Sequence, residues 1–295
     1  MRSRRKTGYG ARVLNVWFER SLRWYLRRRG VVCRVVPTSK GRVHLLDSPG
    51  RGALPPIMLL HGISSSSAPY ANLLLRLRQH HRRVLAPDSL GHGASDEPAD
   101  ADPDTLLAGM LETFDQVVDE PVFLYGNSLG GAAAIRLALL RPEKVRGLIA
   151  CSPGGAQLSS DELGAFLGRF SFNQRQDAAR FVRSLYGRPP AYAPLIAGEV
   201  RRVFRRPFLQ ELLRRIKPEH LFGPAEIAAL TVPTLLIWGQ KDTLMMPEML
   251  RFFRQYLPAH AEVEEPEEFG HCPHLDRPSH LAARILSFTR KVTDG

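Results

Sequence analysis

Between an apolar run, Pro121 to Tyr125, and an alanine-rich segment, Leu129 to Leu140, stands Gly126-Asn127-Ser128-Leu129-Gly130. The run before it is short and continuously apolar, as a strand buried on both faces must be. The segment after it is spaced as a helix, and Pro142 lies just beyond its end. Glycines two residues either side of Ser128 allow a very tight strand-to-helix turn in which the serine takes a strained backbone conformation. Its hydroxyl then projects above the sheet, with the first helix amides and the positive end of the helix dipole aimed at the same point. Ser128 is thereby marked as a nucleophile.

The rest of the chain supplies a framework for such a turn. Val31 to Val36 and Val43 to Leu46 read as a strand hairpin, and Ile57 to Leu60 as a buried strand ending at His61-Gly62. Helix Tyr70 to Arg78, strand Val84 to Ala86, helix Asp104 to Val118, the elbow and strand Gly147 to Cys151 follow. The alternation resumes with strand Thr234 to Trp238, helix Pro247 to Tyr256, strand Ala261 to Glu264 and a closing helix, Ser279 to Lys291. Alternation of this kind predicts an α/β fold with a mostly parallel sheet and helices on both faces.

Between Pro153 and Leu230 the beat stops. Helical segments are expected at Asp161 to Phe170, Gln174 to Tyr186, Glu199 to Phe204 and Phe208 to Ile216, separated by turns such as Arg188-Pro189-Pro190. A stretch this long without strands, set between two core strands, reads as an inserted helical lid. The expected organisation is therefore a basic segment at 1–30, a core at 31–154 and 226–295, and a lid at 155–225.

Charge separates these parts. The chain of 295 residues carries a net +12, and residues 1–30 alone hold ten Lys and Arg against one Glu. Most of the excess is thus a tail rather than a face, which argues against nucleic acid as the partner. From Val13 to Leu26 apolar and aromatic residues fill half a helical wheel and arginines most of the rest, a pattern suited to packing on the protein body or to peripheral contact with an anionic membrane surface. Arg4-Arg5 is followed by no apolar run of export-signal length. Cys33, Cys151 and Cys272 are too few and too scattered for a disulfide framework or a cysteine metal site, so a reducing, cytoplasmic setting is expected.

A serine hydroxyl needs a base, and the base needs a carboxylate to orient it. Both belong on loops at the carboxyl ends of core strands. His271 follows the last expected strand, and Asp242, in Trp238-Gly239-Gln240-Lys241-Asp242, follows the one before it. His274 is the competing base, and Cys272 reads as packing. Negative charge developing on a substrate carbonyl oxygen calls for preplaced donors, expected from the backbone amides of Leu129 and of Ile63. His61 is expected to be a buried, hydrogen-bonded residue that shapes its loop. Ser64, Asn127, Phe166, Phe170 and Phe181 are the candidate pocket residues. The turn Asp88 to Asp96 lacks the spacing and lysine of a phosphate-binding loop, and neither a metal ligand cluster nor an organic-cofactor motif is present, so no cofactor or metal is expected.

From about residue 31 onward the His61-Gly62 loop, the Asp88 to Asp96 turn, the Ser128 elbow, Asp242 and His271 together resemble the α/β-hydrolase superfamily. The resemblance implies an eight-stranded core, a lid after the sixth strand and a covalent acyl-serine intermediate. Epoxide hydrolases and haloalkane dehalogenases of that superfamily carry aspartate where this chain has Ser128. The elbow Gly126 to Gly131 is similar to that of hydrolases that split carbon-carbon bonds. Those enzymes usually carry a more glycine-rich loop after the first His-Gly and a tryptophan after the catalytic histidine, where this chain has Ile63-Ser64-Ser65 and Cys272. Carboxylic ester hydrolysis on a small acyl substrate, apolar or anionic, is the expectation. Thioester cleavage, carbon-carbon cleavage and a non-catalytic binding role are its alternatives.

Overall fold

A computed structural model describes residues 21, 22 and 24–295. Most of the expected Val13 to Leu26 helix lies outside the described residues. Its described end packs against the body: Leu26 is fully buried and Leu22 half-buried beside it, while Trp24 and Tyr25 face outward.

Strands β1 (Val32–Thr38), β2 (Gly41–Pro49), β3 (Ile57–Leu60), β4 (Arg83–Pro87), β5 (Val122–Asn127), β6 (Val145–Cys151), β7 (Thr234–Ile237) and β8 (Glu262–Glu264) form, among the described residues, one eight-stranded sheet. Its order is β1-β2-β4-β3-β5-β6-β7-β8. β2 runs against both of its neighbours and the remaining pairings are parallel. Every residue of β3, β5 and β7 is buried, because helices cover both faces and leave neither side of a central strand to water.

Alternation along the strands feeds two cores. Met58, Leu60 and Leu124 point to one face, and Ile57, Leu59 and Phe123 to the other. Helix α1 (Ala71–Leu77) covers the second face together with the C-terminal helix, through Leu73, Leu74 and Leu77. Helices α2 (Pro103–Val117) and α3 (Leu129–Leu140) cover the first. Asp102 starts α2 by accepting the Asp104 amide at 2.9 Å, which satisfies one of the free donors of the first turn.

Between β6 and β7 the chain forms α4 (Ser160–Gly168), α5 (Arg175–Ser184), α6 (Ala193–Phe204), α7 (Pro207–Arg215) and the short α8 (Pro224–Ala228). This insertion has its own core, in which Phe170, Phe172 and Phe181 surround Phe204 with ring centroids 4.9 to 5.8 Å from it. Helix α6 begins six residues before the expected Glu199. Pro194 sits in its first turn, where no backbone donor is needed, so a residue that reads as a breaker here serves as a starter. Helices α9 (Pro247–Tyr256), α10 (Pro273–Asp276) and α11 (Pro278–Asp294) complete the fold, and Leu281, Ile285 and Phe288 of α11 close the second core. No helix among the described residues is long and apolar enough to cross a membrane.

Candidate active site

Ser128 stands between β5 and α3 with φ 58° and ψ −121°, a conformation that L residues adopt only under constraint. The constraint is close approach. A Cβ on Gly126 would lie 2.1 Å from the Gly130 carbonyl oxygen, and one on Gly130 would lie 2.1 Å from that of Leu60. Only glycine at these positions lets the helix start so near the sheet. The turn is held from below by the Cys151 carbonyl, which accepts the Ser128 amide at 3.1 Å and the Asn127 Nδ2 at 3.1 Å. Above it, the Ser128 carbonyl accepts the amides of Gly131, Ala132 and Gly154. The Leu129 amide is the first of the helix and has no partner within it.

Asp242 and His271 arrive on the loops that follow β7 and β8. His271 Nδ1 lies 2.8 Å from Asp242 Oδ2, and both side chains are buried. Oδ1 of the same carboxylate accepts the amides of Leu244 and Met245 at 2.9 and 3.0 Å, so both of its oxygens are engaged. Burial would raise the Asp242 carboxyl, but the neighbouring His271, its hydrogen bond and the Met245 amide hold it below the ordinary carboxylate range. Asn127 joins the two halves, because its Nδ2 also donates to the His271 carbonyl at 2.8 Å. Residue 127 thus fixes the histidine loop against the serine elbow across 144 positions of sequence.

The loop after β3 closes the third side. His61 Nδ1 donates to the Gly62 carbonyl at 2.8 Å, and its Nε2 accepts the Ser89 amide at 3.0 Å. His61 therefore ties the β3 and β4 loops together. A Cβ on Gly62 would lie 3.2 Å from that of Ser128, which sets this loop against the elbow, and Ile63 borders the space in front of it. Ser64, Ser128 and Ser152 are the non-glycine residues with positive φ among those described, and each follows the carboxyl end of a parallel strand.

A cavity of about 540 Å³ opens at Ser128. Phe166 and Phe170 line it, whereas three other expected pocket residues do not. Ser64 makes the strained turn beyond Ile63. Asn127 is buried beneath the elbow because its amide is needed by two carbonyls. Phe181 is drawn into the aromatic cluster around Phe204. Leu106 and Met110 of α2 and Leu139 of α3 line the cavity instead, residues whose apolar character reads in sequence as ordinary helix core.

His274, the competing base, is buried with its ring centroid 4.4 Å from that of Tyr70, and its Nδ1 has no hydrogen-bond partner. Burial, with His271 and His61 nearby, pushes its pKa down to about 3. Cys272 donates its thiol to Asn127 Oδ1 at 3.4 Å, and burial holds that thiol well above its ordinary pKa, as suits packing rather than nucleophilic attack. Asp102, Asp104 and His220 bring possible metal-ligand atoms within 4.8 Å of one another at the cavity rim. Asp102 already caps α2 and approaches Arg215 at 3.4 Å, and the His220 ring already accepts the Lys217 amide. Two of the three side chains therefore already have partners within the chain.

A model of the alpha/beta hydrolase family matches residues 57–285. The chain belongs to the alpha/beta hydrolase family. This alpha/beta hydrolase is 26% identical to Lipase 1 of Psychrobacter immobilis over 253 residues, covering 81% of this chain and 78% of that one. It is 31% identical to the 2-hydroxymuconate semialdehyde hydrolase of Pseudomonas sp. (strain CF600), over 83% of this chain and 88% of the relative. Among solved structures, a bacterial membrane phospholipase A superposes with a TM-score of 0.78 at 22% identity, covering 97% of this chain and 91% of that one. At that identity the likeness speaks for the fold alone.

Proposed function

We propose that this alpha/beta hydrolase cleaves a carboxylic ester through an acyl-serine intermediate. His271 takes the Ser128 proton as the oxygen attacks the ester carbonyl, and Asp242 orients the imidazole and stabilises its charged form. The Leu129 and Ile63 amides meet the oxyanion. Protonated His271 then gives its proton to the departing alcohol and, in the second half-reaction, activates the water that releases the acid.

The observation that carries this reading is the His271-Asp242 contact at 2.8 Å, with the second carboxylate oxygen pinned by two amides and the histidine carbonyl fastened to the elbow through Asn127. Such a fully engaged carboxylate fixes one tautomer and one ring orientation, which is what a general base beside a serine requires. A purely structural ion pair would not need its histidine loop bonded to the strained turn.

Carbon-carbon cleavage of an anionic ring-cleavage product finds less support. Arg136 lines the cavity but is already paired with Glu226, and it lies two turns along α3 from Ser128. Matched p-nitrophenyl and thioester substrates test the proposal. Ester turnover that falls about 10⁴-fold or more in S128A and in H271A, with folding retained, supports it. Unchanged ester turnover in S128A, or a large preference for thioesters, defeats it.

We also infer that residues 1–30 serve as a peripheral contact for an anionic membrane surface. Trp24 is 59% exposed and Tyr25 40%, and the guanidinium groups of Arg28 and Arg29 lie 4.6 and 4.8 Å from the two ring centroids. Amphipathic rings flanked by arginine are suited to a headgroup layer.

A further inference from the structure

Helix α3 is apolar on two opposite sides, and only one of them is explained by the sheet. Ala134, Ile135, Leu137 and Ala138 pack into the buried core. Ala132, Ala133, Arg136, Leu139 and Leu140 lie on the other side, at spacings that make one continuous helical face, and all five line the cavity. A helix that is apolar all round is expected to be covered all round. The facing wall is α2, whose Leu106, Leu107 and Met110 also fall on one face. The insertion roofs the space with Leu163, Phe166, Leu167 and Leu213. The cavity is therefore a channel running along α3, from the oxyanion end at Leu129 to Leu140, which is 46% exposed.

We propose that this channel holds the acyl chain of the substrate, and that the substrate class is the ester of a straight fatty acid of about 10 to 14 carbons. The length follows from the helix: 11 residue steps from Leu129 to Leu140 span about 17 Å, the reach of an extended chain of about 13 bonds, or about 14 carbons. Arg136 faces the channel without opposing an apolar guest, since its guanidinium is engaged by Glu226 and lies 4.3 Å from the Phe222 ring centroid. Glu219, His220 and Glu226 also line the cavity, and Glu226 and the His220 carbonyl both meet Arg136, so the wall turns polar beside that residue. This inference rests on the ester-hydrolase reading for its chemistry but not for its geometry.

A series of p-nitrophenyl esters from C4 to C16 tests it. kcat/KM is expected to rise about three- to fourfold per methylene and to level off at C12 to C14. Ala133→Trp plugs the channel about 6 Å from its start, so the C12 to C4 ratio of kcat/KM falls at least tenfold. Leu139→Trp shortens the channel at its far end, moving the plateau toward C10 while the rise from C4 to C8 persists. Circular dichroism confirms that each variant is folded, and either variant suffices for the comparison. Independently, S128A protein is titrated with butanoate and dodecanoate by displacement of a fluorescent fatty acid. At least 100-fold tighter binding of dodecanoate supports the channel even if ester turnover is absent, an outcome that would defeat only the catalytic reading. A flat chain-length profile with active short-ester turnover, equal binding of the two acids, or profiles unaffected by both tryptophans overturns the channel and leaves the serine chemistry standing.

Discussion

At the scale of single residues, a few side chains hold the reacting groups in place. Asp242→Asn keeps the shape of the His271 partner but removes the charge and favours the wrong tautomer. Its kcat on a short ester should fall about 10⁴-fold with little change in KM, which steady-state kinetics will show. Asn127 acts one step removed, as a positioning residue. Asn127→Ala leaves the Cys151 and His271 carbonyls without their shared donor, which should cost about 1 to 3 kcal/mol in urea unfolding and lower kcat more than it raises KM. A loss of stability with unchanged kcat would reduce Asn127 to a purely structural role. The elbow was legible in sequence because its glycines, the strand before it and the alanines after it are all local signals. Asn127 was not, since what places it under the turn is a hydrogen bond to a residue 144 positions away.

At the scale of elements, strands and helices follow from periodicity, and their ends follow from caps and turns. β3, α3 and α9 begin and end at the expected residues, since each is bounded by proline or by the glycine loops. The start of α6 was hidden by Pro194, whose meaning depends on whether it falls in the first turn or inside a helix. The pocket was only half legible for a related reason. An apolar residue facing the sheet and one facing a cavity look alike in sequence, and the lining face of α3 becomes visible only once the opposite face is seen to be filled. The insertion, by contrast, shows in sequence as the break in the strand-helix alternation between Pro153 and Leu230, and its phenylalanines form a core of its own. Phe204→Ala removes the ring on which Phe170, Phe172 and Phe181 converge, and should destabilise the insertion by about 3 to 5 kcal/mol. Hydrogen exchange should quicken across residues 170–204 while the amides of β3 and β5 keep their protection. Equal loosening of sheet and insertion would show instead that the two unfold as one unit.

At the scale of the whole molecule, buried histidines set the acid limit. Burial pushes His81 down to about 4, and His92 and His274 down to about 3. Each has a folded pKa below its ordinary value, so the unfolded chain binds more protons than the folded one as pH falls below about 6.5. Stability from these groups is present above that pH and is lost toward pH 4 to 3, with a slope of up to about 4 kcal/mol per pH unit for three protons. His44 has the opposite sign. Burial opposes its charge, but the Asp88 carboxylate and the Cys33 sulfur prevail and raise it to about 9, so its contribution is present below about 6.5 and fades as pH rises through 9. Urea unfolding from pH 4 to 10 should therefore show a maximum between about 6 and 8, with the steeper fall on the acid side. A profile flat from pH 7 to 4 would mean that these imidazoles are solvated.

The most direct measurement is covalent trapping of the serine. Incubation with a fluorophosphonate, followed by mass analysis of the intact chain and of its peptides, should show a single adduct on Ser128. Labelling should slow by at least 10³-fold in H271A, because the hydroxyl then has no base. A folded chain that takes up no probe, that is labelled elsewhere, or that reacts equally fast without His271 would contradict the proton path on which this account depends.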